Sequence, residues 1–400
     1  MPTTLFSVLC PLPSHHRQYV SPTPPSAALA SKTVLNGSGP RSAVSPLRAE
    51  RGLLPLFSTL APTITMMETE AEMESVCKDF KVGSCKGEKL VEGLTMPLVL
   101  QPPDEETTNN NNNNNNDLPS LLRALGKNKD WFKQMIIKHS AVLLRGFNVS
   151  NAEDFNDVVE AFGWDNCPYV GPARRTSVYK GIWTANEGPL NEFIDFHHEM
   201  ALMGRWPENV MFFCEVPPPE GGETPIGPSF RVAERLLAEF PEAMKEIEEK
   251  GLKYEFKTQP QAEGKCNGRS WQEFLGSSDP EEAVKKAKEN ADIDVEWLPN
   301  GGALLIAANR PLTVEFEGRK GRKAWFNLIH NKDIPKVTMM DGTEIPKNIV
   351  RRIREIFEEE TIQFRWEKGD ILFLDNLAAY HGRRPSLPPR RVLVAACKRV

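Results

Sequence analysis

The chain has 400 residues, of which 40% are hydrophobic and 26% are charged, and its formal net charge at pH 7 is −5. These values are typical of a globular protein in water. The weak negative charge gives no reason to expect a nucleic-acid partner, and no apolar run reaches the roughly 18 to 20 residues of a membrane helix. The seven cysteines are scattered without a CxxC pair, which argues against a disulfide scaffold or a cysteine zinc site and favours a reducing compartment.

Residues 1–66 form a basic leader that is rich in Ser, Pro and Ala and has Glu50 as its one acidic residue. An acid-poor, Ser-rich and basic segment predicts an organellar transit peptide, and we expect a chloroplast location. The alternative is a true start at Met66 or Met67 and a cytoplasmic product. In either case we do not expect this segment to pack.

An acidic linker at residues 67–79 follows the leader, and residues 80–400 are expected to form one domain. A polar loop at residues 103–117 interrupts this domain. It contains eight consecutive asparagines at residues 109–116, and such a tract cannot bury apolar surface. We therefore expect a disordered, solvated insertion.

Hydrophobic spacing and turn residues predict the remaining elements in chain order. Helices are expected at 118–125, 131–136, 232–240, 241–250 and 348–359, with a further helix opened by a Ser150–Glu153 capping box. Strands are expected at 80–82, 97–100, 141–144, 209–216, 301–307, 312–316, 362–366, 370–374 and 391–396. Strands separated by long loops, with helices early and in one insert, favour a mainly β sandwich or jelly roll with flanking helices.

The segment from Phe196 to Glu199 reads Phe-His-His-Glu and could supply metal ligands. In an extended segment His197 and Glu199 share one face, while His198 points to the other. An imidazole and a carboxylate on one face can both reach one ion. His198 is therefore expected to pack or to support the site rather than to bind the metal.

A third ligand must come from elsewhere among the seven histidines. The leader holds two of them, His139 ends a helix, and His330 lies in a charged turn, which leaves His381 after a predicted strand. Two histidines and one carboxylate leave open positions, an arrangement that suits non-haem Fe(II). Zinc that activates water is the alternative.

Ten residues after His381 lies Arg391, at the start of an alternating stretch in which Arg391, Leu393 and Ala395 share a face. A charged arginine on an apolar face requires an anion, and a guanidinium meets a carboxylate through two parallel hydrogen bonds. For the neighbouring Arg390 we expect a solvated basic turn.

These segments resemble the taurine dioxygenase and clavaminate synthase-like (TauD/TfdA) family of Fe(II)/2-oxoglutarate-dependent dioxygenases, and particularly the plant clavaminate synthase-like proteins. The resemblance runs from about Phe80 to Cys397 and is interrupted by the asparagine tract. The residues that carry it are 141–147, 184–187, 196–200, 221–225, 325–327, 375–376, His381 and 388–393.

The resemblance implies a double-stranded β-helix, with His197, Glu199 and His381 as ligands of Fe(II). It further implies that Thr224 and Arg391 hold 2-oxoglutarate, a cosubstrate that is converted with O2 to succinate and CO2. Hydroxylation of a small-molecule substrate is the expected outcome. A catalytically silent jelly-roll binding protein and a zinc-dependent hydrolase are the alternatives.

The position four residues after Arg391 departs from the pattern of taurine dioxygenase, which has a substrate-binding arginine there. Here it is Ala395, so taurine is not expected as substrate. Asn186 could face the cavity or close a turn, and the pair Arg174-Arg175 could contact an anionic substrate or be solvated. Trp325 and Asn327 could line the cavity, although Trp325 is expected in the core. The sequence leaves the substrate and the oligomeric state open.

Overall fold

The computed structural model describes residues 77–104, 115–169, 173, 175–260, 270–316, 318, 321–332, 334 and 336–398. The predicted leader, most of the acidic linker and most of the asparagine tract lie outside the described residues. Within them, no helix combines the length and apolar character that crossing a bilayer requires.

Short strands alternate with helices along the described chain. The strands are β1 (Lys81–Val82), β2 (Lys89–Val91), β3 (Leu94–Met96), β4 (Leu98–Gln101), β5 (Ala141–Leu144), β6 (Asp165–Asn166), β7 (Ser177–Tyr179), β8 (Ile182–Thr184), β9 (Ile194–His197), β10 (Asn209–Val216), β11 (Ile226–Pro228), β12 (Leu252–Thr258), β13 (Asp294–Trp297), β14 (Ala303–Arg310), β15 (Thr313–Glu315), β16 (Lys323–Trp325), β17 (Lys336–Met339), β18 (Ile371–Asp375), β19 (Ala379–Arg383) and β20 (Arg391–Lys398). The helices are α1 (Leu118–Lys127), α2 (Lys129–His139), α3 (Ala152–Glu160), α4 (Ser229–Glu239), α5 (Pro241–Lys250), α6 (Trp271–Leu275), α7 (Pro280–Ala291) and α8 (Lys347–Glu360).

Two facing sheets form the jelly roll. The larger sheet runs in the order β1-β4-β5-β18-β10-β20-β8-β7, with β6 paired to β20, and the smaller sheet runs in the order β11-β19-β9. The neighbours of β10, β18 and β20 are antiparallel, whereas β4 and β5 pair in parallel. A third sheet, β13-β14-β12-β17, belongs to the insert between α5 and α8.

The pleat of the larger sheet separates two apolar cores, because successive side chains of a strand point to opposite faces. Phe212, Leu372 and Val394 contribute to the core between the two sheets. Phe213 and Phe373 point the other way and pack against α1, α2 and α3. The expectation of a mainly β jelly roll flanked by helices is confirmed.

The smaller sheet carries the insert on its outer side. Phe196 of β9 and Tyr380 of β19 pack with Phe357 of α8, in a core that extends to the third sheet. The Tyr380 hydroxyl donates a hydrogen bond to the Phe357 carbonyl oxygen (2.8 Å). The strands that carry the two predicted histidine ligands are therefore supported from behind by a buried aromatic cluster.

Two local predictions are wrong. The N-cap of α3 is Asn151, whose side chain accepts hydrogen bonds from the backbone N–H groups of Glu153 and Asp154. Ser150 bonds instead to the Asp154 carboxylate, so the predicted capping box is absent. Residues 362–366 do not form a strand: Ile362 makes one isolated bridge to Ile226, and the next residues turn into the core between the sheets.

Candidate metal centre and cavity

The three predicted metal ligands lie together at one end of the smaller sheet. His197 is directly opposite His381 in the pairing of β9 with β19, and the centres of their rings are 4.4 Å apart. Glu199 follows two residues after the end of β9. One potential ligand atom from each of the three side chains lies within 4.8 Å of the others, so the residues can hold a single ion.

Both histidines can direct a ring nitrogen to this point. His197 Nδ1 donates a hydrogen bond to the carbonyl oxygen of Asp195 (2.7 Å), which leaves the Nε2 lone pair free for an ion. His381 is buried, and its Nδ1 has no hydrogen-bond partner among the described residues. Burial, with a smaller contribution from neighbouring His197, holds the pKa of His381 well below its usual value. A neutral, buried imidazole beside a carboxylate fits Fe(II).

Glu199 is held from two directions. Its carboxylate accepts a hydrogen bond from Arg175 Nη2 (2.7 Å), and both side chains are buried. The guanidinium of Arg175 also lies over the ring of Tyr169, 4.1 Å from its centre. The backbone of Glu199 is bonded to the side chain of Asn376. Both interactions restrict the directions in which the carboxylate can point.

A cavity of about 530 Å³ opens beside these ligands, within the roughly 300 to 1,000 Å³ of small-molecule sites. Its lining includes Tyr169, Arg175, Asn186, Glu192, Phe193, His197, His198, Glu199, Met200, Leu202, Met203, Phe212, Thr224, Lys257, Gln259, Leu328, Asn331, Lys332, Ile334, His381, Arg383 and Arg390. Phe212, from the core between the two sheets, contributes to the apolar part of the wall. Arg175, Arg383 and Arg390 contribute to its polar part.

Thr224, which the resemblance assigns to the binding of 2-oxoglutarate, lines the cavity just before β11. Its hydroxyl accepts a hydrogen bond from the indole N–H of Trp366 (3.2 Å), and both residues are buried. An indole N–H can only donate, so the hydroxyl hydrogen of Thr224 remains available for an acceptor in the cavity. A carboxylate oxygen would suit it.

The structure does not support the assignment of Arg391 as the cosubstrate clamp. Arg391 begins β20, and its side chain is half exposed and pairs with Glu215, on the strand beside it. The alternation of β20 gives the reason: Leu393 and Ala395 share the face of Arg391 and pack toward the helices. The cavity side of β20 carries the even-numbered residues.

Arg390 occupies the place expected of Arg391. It lines the cavity, and its Nε donates a hydrogen bond to the carbonyl oxygen of Gly222 (2.9 Å). Gly222 has a positive φ of 69°, and a Cβ there would lie 2.9 Å from Arg390 Cδ, so glycine permits this approach. Burial, with a smaller contribution from the charge of Arg383, lowers the pKa of Arg390 to about 10. An anion in the cavity would restore the stability of its charged form.

Arg383 is a further cavity arginine, which the sequence patterns did not identify. It is buried, and its guanidinium donates hydrogen bonds to the carbonyl oxygens of Gly188, Pro189 and Glu192 and to Asn186 Oδ1. These contacts fix the loop before β9. Asn186 lines the cavity, and its Oδ1 also accepts a hydrogen bond from the backbone N–H of Gly188 (2.6 Å).

The remaining candidates divide between packing and the cavity. His198 Nε2 bonds to the hydroxyl of Ser229 (2.5 Å) and the ring packs against Phe326, in agreement with a supporting role. Trp325 is fully buried, as expected. Asn327 is also buried and bonds backbone groups of its own loop. Arg175 lines the cavity, and Arg174 lies outside the described residues.

Comparisons with known proteins identify the family of the chain. Residues 104–397 match the family model described as taurine catabolism dioxygenase TauD, TfdA family. The chain is 37% identical over 323 residues to an Arabidopsis thaliana clavaminate synthase-like protein, covering 78% of this chain and 96% of that protein. It is 28% identical over 284 residues to the dapdiamide synthesis protein DdaC of Enterobacter agglomerans, covering 66% and 83%. A solved asparagine oxygenase, in complex with Fe(II), hydroxyasparagine and succinate, matches with a TM-score of 0.45 and 13% identity, covering 70% of this chain and 83% of its own.

Proposed function

Because the chain belongs to the taurine catabolism dioxygenase TauD, TfdA family and is an Fe(II)- and 2-oxoglutarate-dependent dioxygenase, we propose that it hydroxylates a small anionic molecule. The observation that carries the choice of substrate class is the charge of the cavity wall. Iron, 2-oxoglutarate and O2 together supply the oxidising chemistry, with release of succinate and CO2. The chain supplies binding and orientation.

The residue roles follow from the positions of the side chains. His197, Glu199 and His381 would hold the ferrous ion, and all three line the cavity. Arg390 and the hydroxyl of Thr224 hold the distal carboxylate of 2-oxoglutarate, since both lie in the wall and both can donate to an anion.

Among the described residues, the cavity wall carries more positive than negative charge. The basic residues are Arg175, Lys257, Lys332, Arg383 and Arg390, and the acidic ones are Glu192 and Glu199. The two positive charges of a ferrous ion match the two negative charges of 2-oxoglutarate, so the excess remains for the substrate. A carboxylate on the substrate would be attracted by this wall and oriented by it.

Lys257 and Lys332 are the basic residues most suited to contact the substrate. Both are exposed residues of the insert, Lys257 in β12 and Lys332 shortly before β17. The position four residues after Arg390 is Val394, whose side chain belongs to the core between the sheets. Neither Val394 nor Ala395 can bind a sulfonate through an ion pair, which supports the expectation that taurine is not the substrate.

Family membership favours the oxygenase over the zinc hydrolase and the silent binding protein. A zinc hydrolase would also have no evident use for a partly buried arginine and a threonine hydroxyl that line the same cavity as the metal ligands.

The test is turnover of 2-oxoglutarate by purified protein given Fe(II) under nitrogen and then oxygen. We expect succinate in wild type and background amounts in His381→Ala. Small carboxylates and amino acids should stimulate turnover more than their amides, and a hydroxylated product should gain one oxygen atom by mass. Equal stimulation by acids and amides would contradict the anionic substrate class.

The variants Lys257→Gln and Lys332→Gln test whether these two side chains contact the substrate. We expect each to raise the KM for the stimulating acid by about threefold to tenfold, the range of a solvent-accessible to partly desolvated charge contact. The KM for 2-oxoglutarate should stay unchanged, because both lysines belong to the insert, whereas Arg390 directly precedes β20 of the larger sheet. A rise in both KM values would remove the two lysines from the substrate role.

A further inference from the structure

Glu199 lies outside the sheet that holds the other two candidate ligands. His197 is the last residue of β9 and is paired with His381 across the ladder. Glu199 follows in a turn, and the next residue, Met200, has a positive φ of 60°. The strand pairings of the described residues do not include Glu199, so the ladder that fixes the histidines does not fix its backbone.

The side chain of Asn376 replaces the missing strand partner. Its Oδ1 accepts a hydrogen bond from the backbone N–H of Glu199 (2.8 Å), and its Nδ2 donates to the carbonyl oxygen of the same residue (3.0 Å). Nδ2 also donates to the carbonyl oxygen of Pro207 (2.8 Å). An amide side chain that bonds both backbone groups of one residue reproduces the pattern of a paired strand residue.

Asn376 is itself firmly held. It has no solvent exposure, and its backbone N–H donates to the carbonyl oxygen of Glu208 (2.9 Å). It lies in the turn between β18 and β19, where the carboxylate of Asp375 accepts from the N–H groups of Leu377 and Ala378. The turn that leads into the strand of His381 therefore also fixes the backbone of Glu199.

We infer that Asn376 is a positioning residue for the metal centre, which sets the carboxylate of Glu199 at the distance from His197 and His381 that one ion requires. The inference rests on the proposed function, in which these three side chains hold the iron. Asn376 does not touch the ion: it acts through the backbone of Glu199. Residues that orient a metal ligand from outside typically change metal affinity by about 10- to 100-fold when they are removed.

Asn327 offers a matched control. It is equally buried, its Nδ2 donates to the carbonyl oxygen of Leu312 (2.6 Å), and its Oδ1 accepts from the N–H of Ile329 (3.1 Å). It thus makes the same kind of bonds to backbone that Asn376 makes, but to a loop that contains none of the candidate ligands. Any effect of losing a buried amide as such should appear in both variants.

The experiment measures binding of Co(II), a stand-in for Fe(II), by anaerobic calorimetry and by its visible ligand-field spectrum. For Asn376→Ala we expect about 10- to 100-fold weaker binding and an altered spectrum. For Asn327→Ala we expect wild-type affinity and spectrum, whatever its melting temperature. If Asn376→Ala does not fold, Asn376→Ser is used, because its short hydroxyl cannot reach both backbone groups.

Two results separate this inference from the proposed function. Loss of Co(II) binding in Glu199→Ala and His381→Ala, with wild-type binding in the Asn376 variants, would overturn the role of Asn376 alone. Wild-type binding in Glu199→Ala and His381→Ala would overturn the ligand assignment itself. Equal loss in the Asn376 and Asn327 variants would show a general effect of stability and would also overturn the positioning role.

Discussion

Arg390 and Arg391 are consecutive residues, yet their side chains lie on opposite sides of the larger sheet. Arg390 lines the cavity with Thr224 and bonds to Gly222, whereas Arg391 pairs with Glu215 and is half exposed. Arg390 is partly buried, and withdrawing a guanidinium from water is costly unless an anion compensates it. The residue that gains most from the distal carboxylate of 2-oxoglutarate is therefore Arg390.

The first prediction concerns this pair. Arg390→Met should raise the KM for 2-oxoglutarate by about 10- to 150-fold, because hydrogen bonds to charged groups contribute about 1.5 to 3 kcal/mol each. Arg391→Met should change this KM by less than about twofold, since its partner Glu215 lies outside the cavity lining. Steady-state succinate formation measures both. A larger effect for Arg391 than for Arg390 would restore the assignment that the sequence suggested.

The sequence was sufficient to predict those site residues whose side chains commonly bind metal ions. Two histidines and a glutamate with no evident partner suggested a metal, and the structure brings His197, Glu199 and His381 together. Asn376 and Trp366 could not be found in this way. Asparagine is common in turns and tryptophan is common in cores, and their hydrogen bonds join segments far apart in the chain. Only the folded arrangement identifies their partners.

At the scale of elements, β20 explains why the sequence assigned to Arg391 the cavity position that Arg390 has in the structure. The alternation of its residues is plain from the sequence, but the face that meets the cavity depends on its pairing with β10. That pairing contains an irregularity between Cys214 and Val216, next to Arg391. Periodicity predicts which residues share a face and does not predict where that face points. The longer strands β10, β18 and β20 and the helices α1, α4 and α8 were predictable because each is long enough to show its period. The short strands β7, β8 and β9 and the helices α6 and α7 were not predicted.

β9 is joined to the insert by a buried histidine. His330 Nε2 donates a hydrogen bond to the carbonyl oxygen of Phe196 (2.7 Å), and its ring stacks on Phe357 with centres 4.2 Å apart. Burial lowers the pKa of His330 to about 4. The native state therefore holds this ring neutral, next to the residue that precedes His197.

The second prediction follows from this lowered pKa. Because the unfolded chain protonates this histidine near pH 6.5 and the native state only near pH 4, protonation favours unfolding between these values. The free energy of unfolding is therefore unaffected by this group above pH 6.5 and falls as the pH decreases toward 4. Between pH 7 and pH 4.5 the loss amounts to about 2 to 3 kcal/mol. The variant His330→Gln has no titrating group at this position. Its free energy of unfolding should therefore fall by about 2 to 3 kcal/mol less than that of wild type between pH 7 and pH 4.5.

Urea unfolding at pH 7 and pH 4.5 measures the difference between wild type and His330→Gln. Other groups with shifted pKa values, such as His198 and Asp370, are present in both proteins, and their contributions cancel in the comparison. Equal losses of stability in the two proteins would contradict a neutral, buried His330.

At the scale of the whole molecule, the leader remains a prediction. We propose that residues 1–66 act as a chloroplast transit peptide, on the basis of their Ser-rich, basic and acid-poor composition. Fused to a fluorescent protein and expressed in leaf cells, this segment should direct fluorescence to chloroplasts. The same segment with Arg17, Lys32 and Arg41 replaced by Glu should not. Diffuse fluorescence from the unaltered fusion would favour a start at Met66 or Met67.

The candidate ligands also make metal binding a property of the whole domain. Glu199 and His381 are 182 residues apart in the chain (381 − 199), and the insert between them packs against the strands that carry His197 and His381. An ion bound by all three side chains binds the folded chain alone, because an unfolded chain cannot bring them together. Its binding free energy therefore adds to the stability of the fold.

The last prediction measures that coupling. Fe(II) with 2-oxoglutarate, supplied anaerobically at about 100 times the dissociation constant, should stabilise the protein by about 2.7 kcal/mol and raise its Tm by about 5 °C. EDTA should reverse the shift. Arg391→Met, with its side chain outside the cavity, should keep the shift, and His381→Ala should lose it because two remaining ligands bind the ion too weakly. An undiminished shift in His381→Ala would place the stabilising metal elsewhere in the molecule.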